Sequence, residues 1–128
     1  MGSLGKELGT GIKMGLDQIA VAIKGSEEKV IADWRKHNRL QGWMENLYRS
    51  QGGTEVFNCQ PVNLTLDNIN SLEKTVRKAE LPKTEGFFFG SDSYEFDMNY
   101  YASKDLEFIA QAKEAIADGW AVTYNCWW

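Results

Sequence analysis

The hydrophobic and polar positions change period several times along the chain. In residues 4–24, apolar side chains recur every three or four residues, which is typical of an amphipathic helix. The members of this stripe are Leu4, Leu8, Ile12, Leu16, Ile19 and Ile23. Four glycines within the segment lower its helix propensity, so the helix needs a surface to pack against. We therefore predict an amphipathic helical arm over residues 1–25 and a globular domain over residues 26–128.

Four further helices are predicted by the same periodicity. Ser26, Thr65 and Ser103 are typical N-caps, and an apolar stripe follows each of them. Gly119 is a typical helix stop. The predicted helices run from Ser26 to a break near His37, and then over residues 40–48, 66–79 and 104–118.

The segments between the later helices favour extended structure. Residues 55–64 and 120–128 are rich in apolar, aromatic and β-branched side chains, and residues 86–90 form an aromatic run between two glycines. Residues 91–101 are acidic and aromatic, and are predicted to form a loop. The expected fold class is α+β, with a small three- to four-stranded sheet, packed helices and the N-terminal amphipathic helical arm.

The charge is acidic and uneven. The net charge is −4, which argues against a nucleic-acid partner because phosphate binding needs a basic face. Residues 1–50 contain eight basic and six acidic side chains, whereas residues 51–128 contain six and twelve. This asymmetry favours a partner with a basic surface, although a solvated acidic surface is also a common cause.

Targeting segments and cysteines give the expected compartment. Residues 1–24 lack the apolar core of a signal peptide, and no apolar run is long enough to span a membrane. A reducing cytoplasm is therefore the expected location. Cys59 and Cys126 are predicted to be buried thiols, and the sequence leaves open whether they are in contact.

Few residues suggest chemistry. His37 is the one histidine, it lies among basic residues, and we expect it at the surface. The metal-ligand candidates are Asp92, Glu95 and Asp97. The alternating oxygens of Glu95, Asp97 and Asn99 imitate the start of a calcium loop without its glycine. No catalytic residue and no cofactor are predicted.

Two groups of residues are candidates for binding. Apolar positions of the arm and the terminal tryptophans are predicted to contact a partner protein, and the arm could also join two copies of the chain. These positions are Ile12, Leu16, Ile19, Ile23, Trp127 and Trp128. The second group is predicted to bind a small ligand, by ring stacking and phosphate contacts. Its members are Phe87, Phe89, Tyr94, Tyr100, Arg35 and Arg39.

From Trp34 onward, the chain resembles a family of small accessory proteins of tailed bacteriophages. The likeness lies in Trp34-Arg35-Lys36, Leu40-x-Gly42-Trp43-Met44, Phe57-Asn58-Cys59, Leu64-Thr65, the block from Leu81 to Gly90 with its GFFFG, the helix at 104–118 and the Trp127-Trp128 pair. The resemblance implies a phage protein that acts in the host cytoplasm, and it implies no catalytic residues. Members have His before the Gly-Trp pair where this chain has Gln41.

Three functional hypotheses follow from these observations. The first is a non-enzymatic phage accessory protein that binds and modulates a host or defence protein, or docks on a phage assembly through its N-terminal helix. The second is a protein that binds a small molecule or nucleotide. The third is a metal-dependent enzyme.

Overall fold

The computed structural model describes residues 15–84 and 94–128, apart from the side chains of residues 94–100. These residues form an α+β fold, as predicted. The strands are β1 (Asp17–Lys24), β2 (Glu27–Arg35), β3 (Val62–Leu64) and β4 (Ala121–Trp127). The helices are α1 (Asn38–Ser50), α2 (Leu66–Arg77) and α3 (Tyr94–Ala117). In this part of the chain, no helix is both long and apolar enough to cross a bilayer.

The strands form one antiparallel sheet in the order β2-β1-β4-β3. A two-residue turn, Gly25-Ser26, joins β1 to β2. Gly25 has φ +62°, and a glycine with positive φ at the first turn position is typical of a type II′ hairpin. β1 therefore has a local partner on one side and a partner from the other end of the chain on the other side.

The helix predicted over residues 4–24 is wrong for residues 17–24, which form β1 at the centre of the sheet. The three- and four-residue spacing concealed an alternation in which Ile19, Val21 and Ile23 occupy every second position. β-branched side chains at this spacing favour a strand. Residues 17–24 therefore belong to the globular domain and not to the predicted arm. Residues 1–14 lie outside the described part of the chain.

The helix predicted from Ser26 is also wrong, because residues 27–35 form β2. By contrast, the helices predicted over 40–48 and 66–79 are confirmed as α1 and α2. Thr65 caps α2 as expected, since its hydroxyl accepts the Asn68 amide while the Asn68 side chain accepts the Thr65 amide. The predicted strand at 120–128 is confirmed as β4, whereas only residues 62–64 of 55–64 are a strand.

Helix α3 begins before the predicted position. Residues 94–101 are helical rather than a loop, and Ser103 lies inside the helix rather than at its N-cap. Five of the six buried positions that the structure describes in this helix are spaced by three or four residues, which places one face of the helix against the sheet. They are Tyr101, Asp105, Phe108, Ala112 and Ala115.

Side chains alternate between the two faces of the sheet, except at a bulge in β2. On one face they are buried beneath the helices: Gln18, Ala20, Ala22, Val62, Leu64, Val122, Tyr124 and Cys126. On the opposite face the residues of the same strands are partly or largely exposed. Among the described elements, all three helices therefore cover the same face. We call the other one the open face; it is defined by Asp17, Ile19, Val21, Ile23, Glu28, Val30, Asp33, Arg35, Asn63, Ala121, Thr123, Asn125 and Trp127.

Helices α2 and α3 end in the same hydrogen-bonded cap. In α3, the Trp120 amide donates to the Ala115 carbonyl and the Gly119 amide to the Ile116 carbonyl, around Gly119 with φ +89°. This is a Schellman motif, which usually has glycine at the left-handed position. α2 has the same two bonds, but its left-handed residue is Ala79, with φ +57°.

We expect Ala79→Gly to stabilise the protein by about 1 kcal/mol, because a Cβ in the left-handed region is strained. The measurement is the free energy of unfolding from urea titration. Ala110→Gly is the matched control, since Ala110 is exposed in the interior of α3. The same chemical change there should destabilise by about 1 kcal/mol. If both variants raised the free energy of unfolding, or both lowered it, the assignment of Ala79 to the cap would be contradicted.

Candidate functional site

A group of polar side chains lies in the core beneath the sheet. Asp105 of α3 accepts a hydrogen bond from Trp34 Nε1 at 3.0 Å and contacts His37 Nε2 at 2.8 Å. His37 and Asp105 are 1% and 2% exposed. The expectation of a surface histidine is therefore wrong. The triad of Trp34, His37 and Asp105 joins the end of β2, the start of α1 and the middle of α3.

The ring of His37 is held on both its face and its edge. It stacks on Tyr101 with the ring centroids 4.1 Å apart and the planes 8° from parallel. The Tyr101 hydroxyl in turn donates to the Arg35 carbonyl. His37 Nδ1 is buried and has no hydrogen-bond partner within the described chain. Because a carboxylate can only accept, His37 Nε2 is the donor in its contact with Asp105.

A second polar chain runs from β1 to β4 alongside this triad. Gln18 accepts the His37 amide and donates to both the His37 carbonyl and the Tyr124 hydroxyl, each at 3.0 Å. Tyr124 donates to Gln41 at 2.6 Å, and Gln41 donates to the sulfur of Cys126 at 3.2 Å. Every side chain in this chain is at most 2% exposed. The network is therefore buried in the core.

Burial controls the ionisation of the two acids at the end of this chain. Desolvation raises the pKa of Tyr124 well above its usual value of 10.0. Desolvation likewise raises the pKa of the Cys126 thiol from 9.0 to about 11, although the Gln41 hydrogen bond opposes this shift. Both groups are therefore neutral donors or acceptors over the physiological range, and they act here by bridging elements of the fold.

Within the described residues, three of the five large apolar side chains that are exposed lie on the open face. Ile19, Val21 and Ile23 follow one another along it on β1, and Val21 pairs with Val30 of β2. Trp127 of β4 pairs with Asp17 at the end of the same face. The exposed fractions of Val30, Trp127 and Ile23 are 59%, 41% and 37%. We call Ile19, Val21, Ile23, Val30 and Trp127 the apolar strip.

A groove of about 440 Å³ adjoins the Trp127 end of the strip. Arg35 and Lys104 bring cationic groups to its wall, beside Trp127 and Tyr101. Each cation is paired: Arg35 Nη1 lies 3.6 Å from Asp17 Oδ1, and Lys104 Nζ lies 3.4 Å from Asp33 Oδ1. The groove is therefore polar and close to neutral, and its walls are aromatic.

The structure separates the residues predicted to contact a partner. Ile19, Ile23 and Trp127 share the open face, whereas Leu16 is fully buried. Trp128 is packed against the core, and its Nε1 donates to the Phe57 carbonyl at 2.9 Å. Ile12 lies outside the described residues.

The predicted small-ligand set is also separated. Arg35 is exposed at the groove, but Arg39 is 6% exposed and donates to the Leu81 carbonyl at 2.9 Å. Phe87 and Phe89 lie outside the described residues. Tyr94 and Tyr100 are in α3, where the description covers the backbone.

The predicted metal ligands no longer fit a calcium-like loop. Glu95 and Asp97 lie in the helix α3 rather than in a loop, and Asp92 is outside the described part. Within that part, no group of three or more His, Cys, Asp or Glu side chains is close enough to hold a metal ion.

Sequence reasoning missed the buried polar network. Asp105 lies at the same helical spacing as Tyr101 and Phe108, and a carboxylate in the middle of such a stripe indicates a buried hydrogen-bond site. Gln18 and Tyr124 could be recognised only once β1 and β4 were known to be neighbours.

A scan against protein-family models and searches of curated proteins and of solved structures match nothing.

We expect Asp105→Ala to destabilise the protein by about 2–5 kcal/mol, because it leaves the Trp34 and His37 N–H groups buried without an acceptor. Urea titration gives the free energy of unfolding. Asp33→Ala serves as the control, since it removes an exposed carboxylate paired with Lys104 and should change stability by less than about 1 kcal/mol. A similar loss in both variants would refute the role of the buried acceptor.

We expect alkaline pH to weaken the fold from about pH 9 upwards. The unfolded chain loses the Cys126 proton near pH 9.0, whereas the folded chain keeps it until about pH 11. Stability therefore falls as pH rises between these values, by up to about 1.4 kcal/mol per pH unit. Urea titrations at pH 8, 9 and 10 should show a shallower decline for Cys126→Ala. Identical slopes for the variant and the wild type would contradict this account.

Proposed function

We propose that this chain is a non-enzymatic binding protein that engages a protein partner through the open face of its sheet. The single observation that supports it is the apolar strip on a face that the described helices leave uncovered. From the resemblance to phage accessory proteins, we further propose that the partner is a host or defence protein and that the two bind in the host cytoplasm.

The composition of the strip supports a contact surface rather than a solvated one. An antiparallel sheet with one face in water usually alternates apolar-in with polar-out. Here the outward positions 19, 21 and 23 of β1 are all β-branched and apolar, and Val30 lies beside them. Contiguous apolar side chains of this kind mark interaction sites on soluble domains.

The face is a better contact surface than the exposed edge. β2 is an edge strand, but Ile31 forms a β-bulge opposite the Ala20–Val21 step of β1. The N-terminal end of β2 is charged, with Glu27, Glu28 and Lys29. Bulges and charges on an edge strand prevent another strand from pairing with it. We therefore propose side-chain packing on the open face instead of strand addition.

The charges around the strip indicate the chemistry of the partner. Asp17 and Asp33 of the open face pair with Arg35 and Lys104, so the acidic character comes from Glu28 on this face and from the net charge of −4 of the whole chain. A partner that presents an apolar patch with a basic rim is complementary to this surface. Trp127 is the expected anchor, since partly exposed tryptophans dominate the binding energy of many interfaces.

Open-face variants test this proposal. Trp127→Ala and Val30→Ser should each weaken capture of a partner from host lysate, and Trp127→Ala should raise its Kd at least about tenfold. The measurements are affinity capture with mass spectrometry, followed by titration of the identified partner.

Leu66→Ser is the matched control, because Leu66 is 45% exposed but begins α2, away from the open face. It should bind the same partner with unchanged affinity. A partner that all three variants retain, or that all three lose, would overturn the assignment to the open face.

The groove beside Trp127 favours a second candidate, a small-molecule or nucleotide binder. Its walls place the guanidinium of Arg35 near the rings of Trp127 and Tyr101, which suits an aromatic ring bearing an anionic group. Thermal-shift measurements with mononucleotides test it: Arg35→Gln should abolish a ligand-induced rise in Tm, while Val30→Ser should preserve it. If the first proposal holds, Val30→Ser should weaken partner capture and Arg35→Gln should leave it unchanged.

A further inference from the structure

The two cysteines of the chain meet at the edge of the sheet. The Cys59 amide donates a hydrogen bond to the Cys126 carbonyl at 2.8 Å, just beyond the β3–β4 pairing that ends at Val62 and Tyr124. With the standard N–Cα, C=O and Cα–C bond lengths, this contact puts the two α-carbons less than about 7 Å apart. A disulfide requires about 4.4–6.8 Å. The backbone spacing therefore already suits a cross-link.

The two side chains differ in exposure, and they influence each other. Cys59 is exposed, whereas Cys126 is buried. The pKa of Cys126 is raised mainly by burial, while the Cys59 amide lowers it and a negative charge on the Cys59 sulfur raises it. The pKa of Cys126 thus depends on both the amide and the sulfur of Cys59. The prediction that both thiols are buried is wrong for Cys59.

The backbone at Cys59 is unusual. Its φ is +63°, a left-handed conformation that residues with a Cβ rarely adopt. The adjacent residues tie this loop to the end of β4: the Asn58 side chain donates to the Trp128 carbonyl at 3.0 Å and accepts the Trp128 amide at 3.1 Å. The loop is thus held in place on β4 with a strained cysteine at the point of contact.

We propose that Cys59 and Cys126 are a redox site, which forms a reversible intramolecular disulfide by exchange with a small-molecule disulfide such as oxidised glutathione. This inference does not depend on the proposed function. It assigns the two cysteines distinct roles: Cys59 is the accessible thiol that reacts first, and Cys126 is the resolving thiol.

The exchange takes two steps. The Cys59 thiolate attacks one sulfur of oxidised glutathione, the S–S bond breaks, and one glutathione leaves as its thiolate. Cys126 then loses its proton to solvent when the loop opens, and its thiolate attacks the sulfur of Cys59 in the mixed disulfide. The second glutathione leaves as a thiolate and takes up a proton. The protein dithiol is oxidised by two electrons, and one glutathione disulfide is reduced to two thiols.

The test uses the full chain equilibrated in glutathione buffers of increasing oxidised fraction, then alkylated with N-ethylmaleimide and weighed intact. The reduced chain should take up two alkyl groups. The oxidised chain should take up none, be about 2 Da lighter than the reduced unmodified chain, and yield one peptide pair that links Cys59 to Cys126. Its Tm should also rise by several degrees, because the cross-link constrains the unfolded chain.

Two variants serve as controls. Cys126→Ala should stop at the mixed disulfide, with one glutathione on Cys59. Cys59→Ser changes an exposed side chain and should show no glutathione adduct and no mass loss under the same buffers. In the wild type, a persistent glutathione adduct on Cys59, two free thiols in the most oxidising buffer, or a disulfide-linked dimer on a non-reducing gel would each overturn the proposal.

Discussion

The carboxylate of Asp105 determines how the two halves of the core fit together. It is 2% exposed, and its two oxygens face Trp34 Nε1 and His37 Nε2. A carboxylate at this depth needs its donors, so α3 is stable against the sheet in only one rotation and one axial position. Tyr101, one turn earlier, stacks on the same histidine. The junction of β2 with α1 and the face of α3 are therefore fixed by the same few atoms.

Sequence reasoning succeeded where local chemistry decides the structure. The capped helix α2 and the stripe of α1 were predictable because caps and apolar periodicity act within a few residues. It failed for β1, where Ile19 and Ile23 are four apart and fit a helix and a strand equally well. The deciding alternation involves Val21, and the strand forms because Ala121–Trp127, about a hundred residues later, pairs with it.

Some residues of the candidate site were likewise predictable from the sequence, and others were not. Ile19, Ile23 and Trp127 were predicted to contact a partner, and they lie together on the open face because a four-residue spacing keeps Ile19 and Ile23 on one side of a strand as well as of a helix. Val30 was missed because its segment was taken for a helix. The links from Gln18 to Tyr124 and from His37 to Asp105 span 106 and 68 positions, so no local pattern could predict them.

The position of β1 between β2 and β4 also governs when the fold can be completed. Its hairpin with β2 forms early, but Asp17 meets Trp127 only after nearly the whole described chain has left the ribosome. Until then, the hydrogen-bonding edge of β1 that will face β4 is bare, and so is the apolar side of the hairpin. Long sequence separation between paired strands slows folding. The hairpin of β1 and β2 is thus exposed to chaperones and to aggregation until β4 has been synthesised.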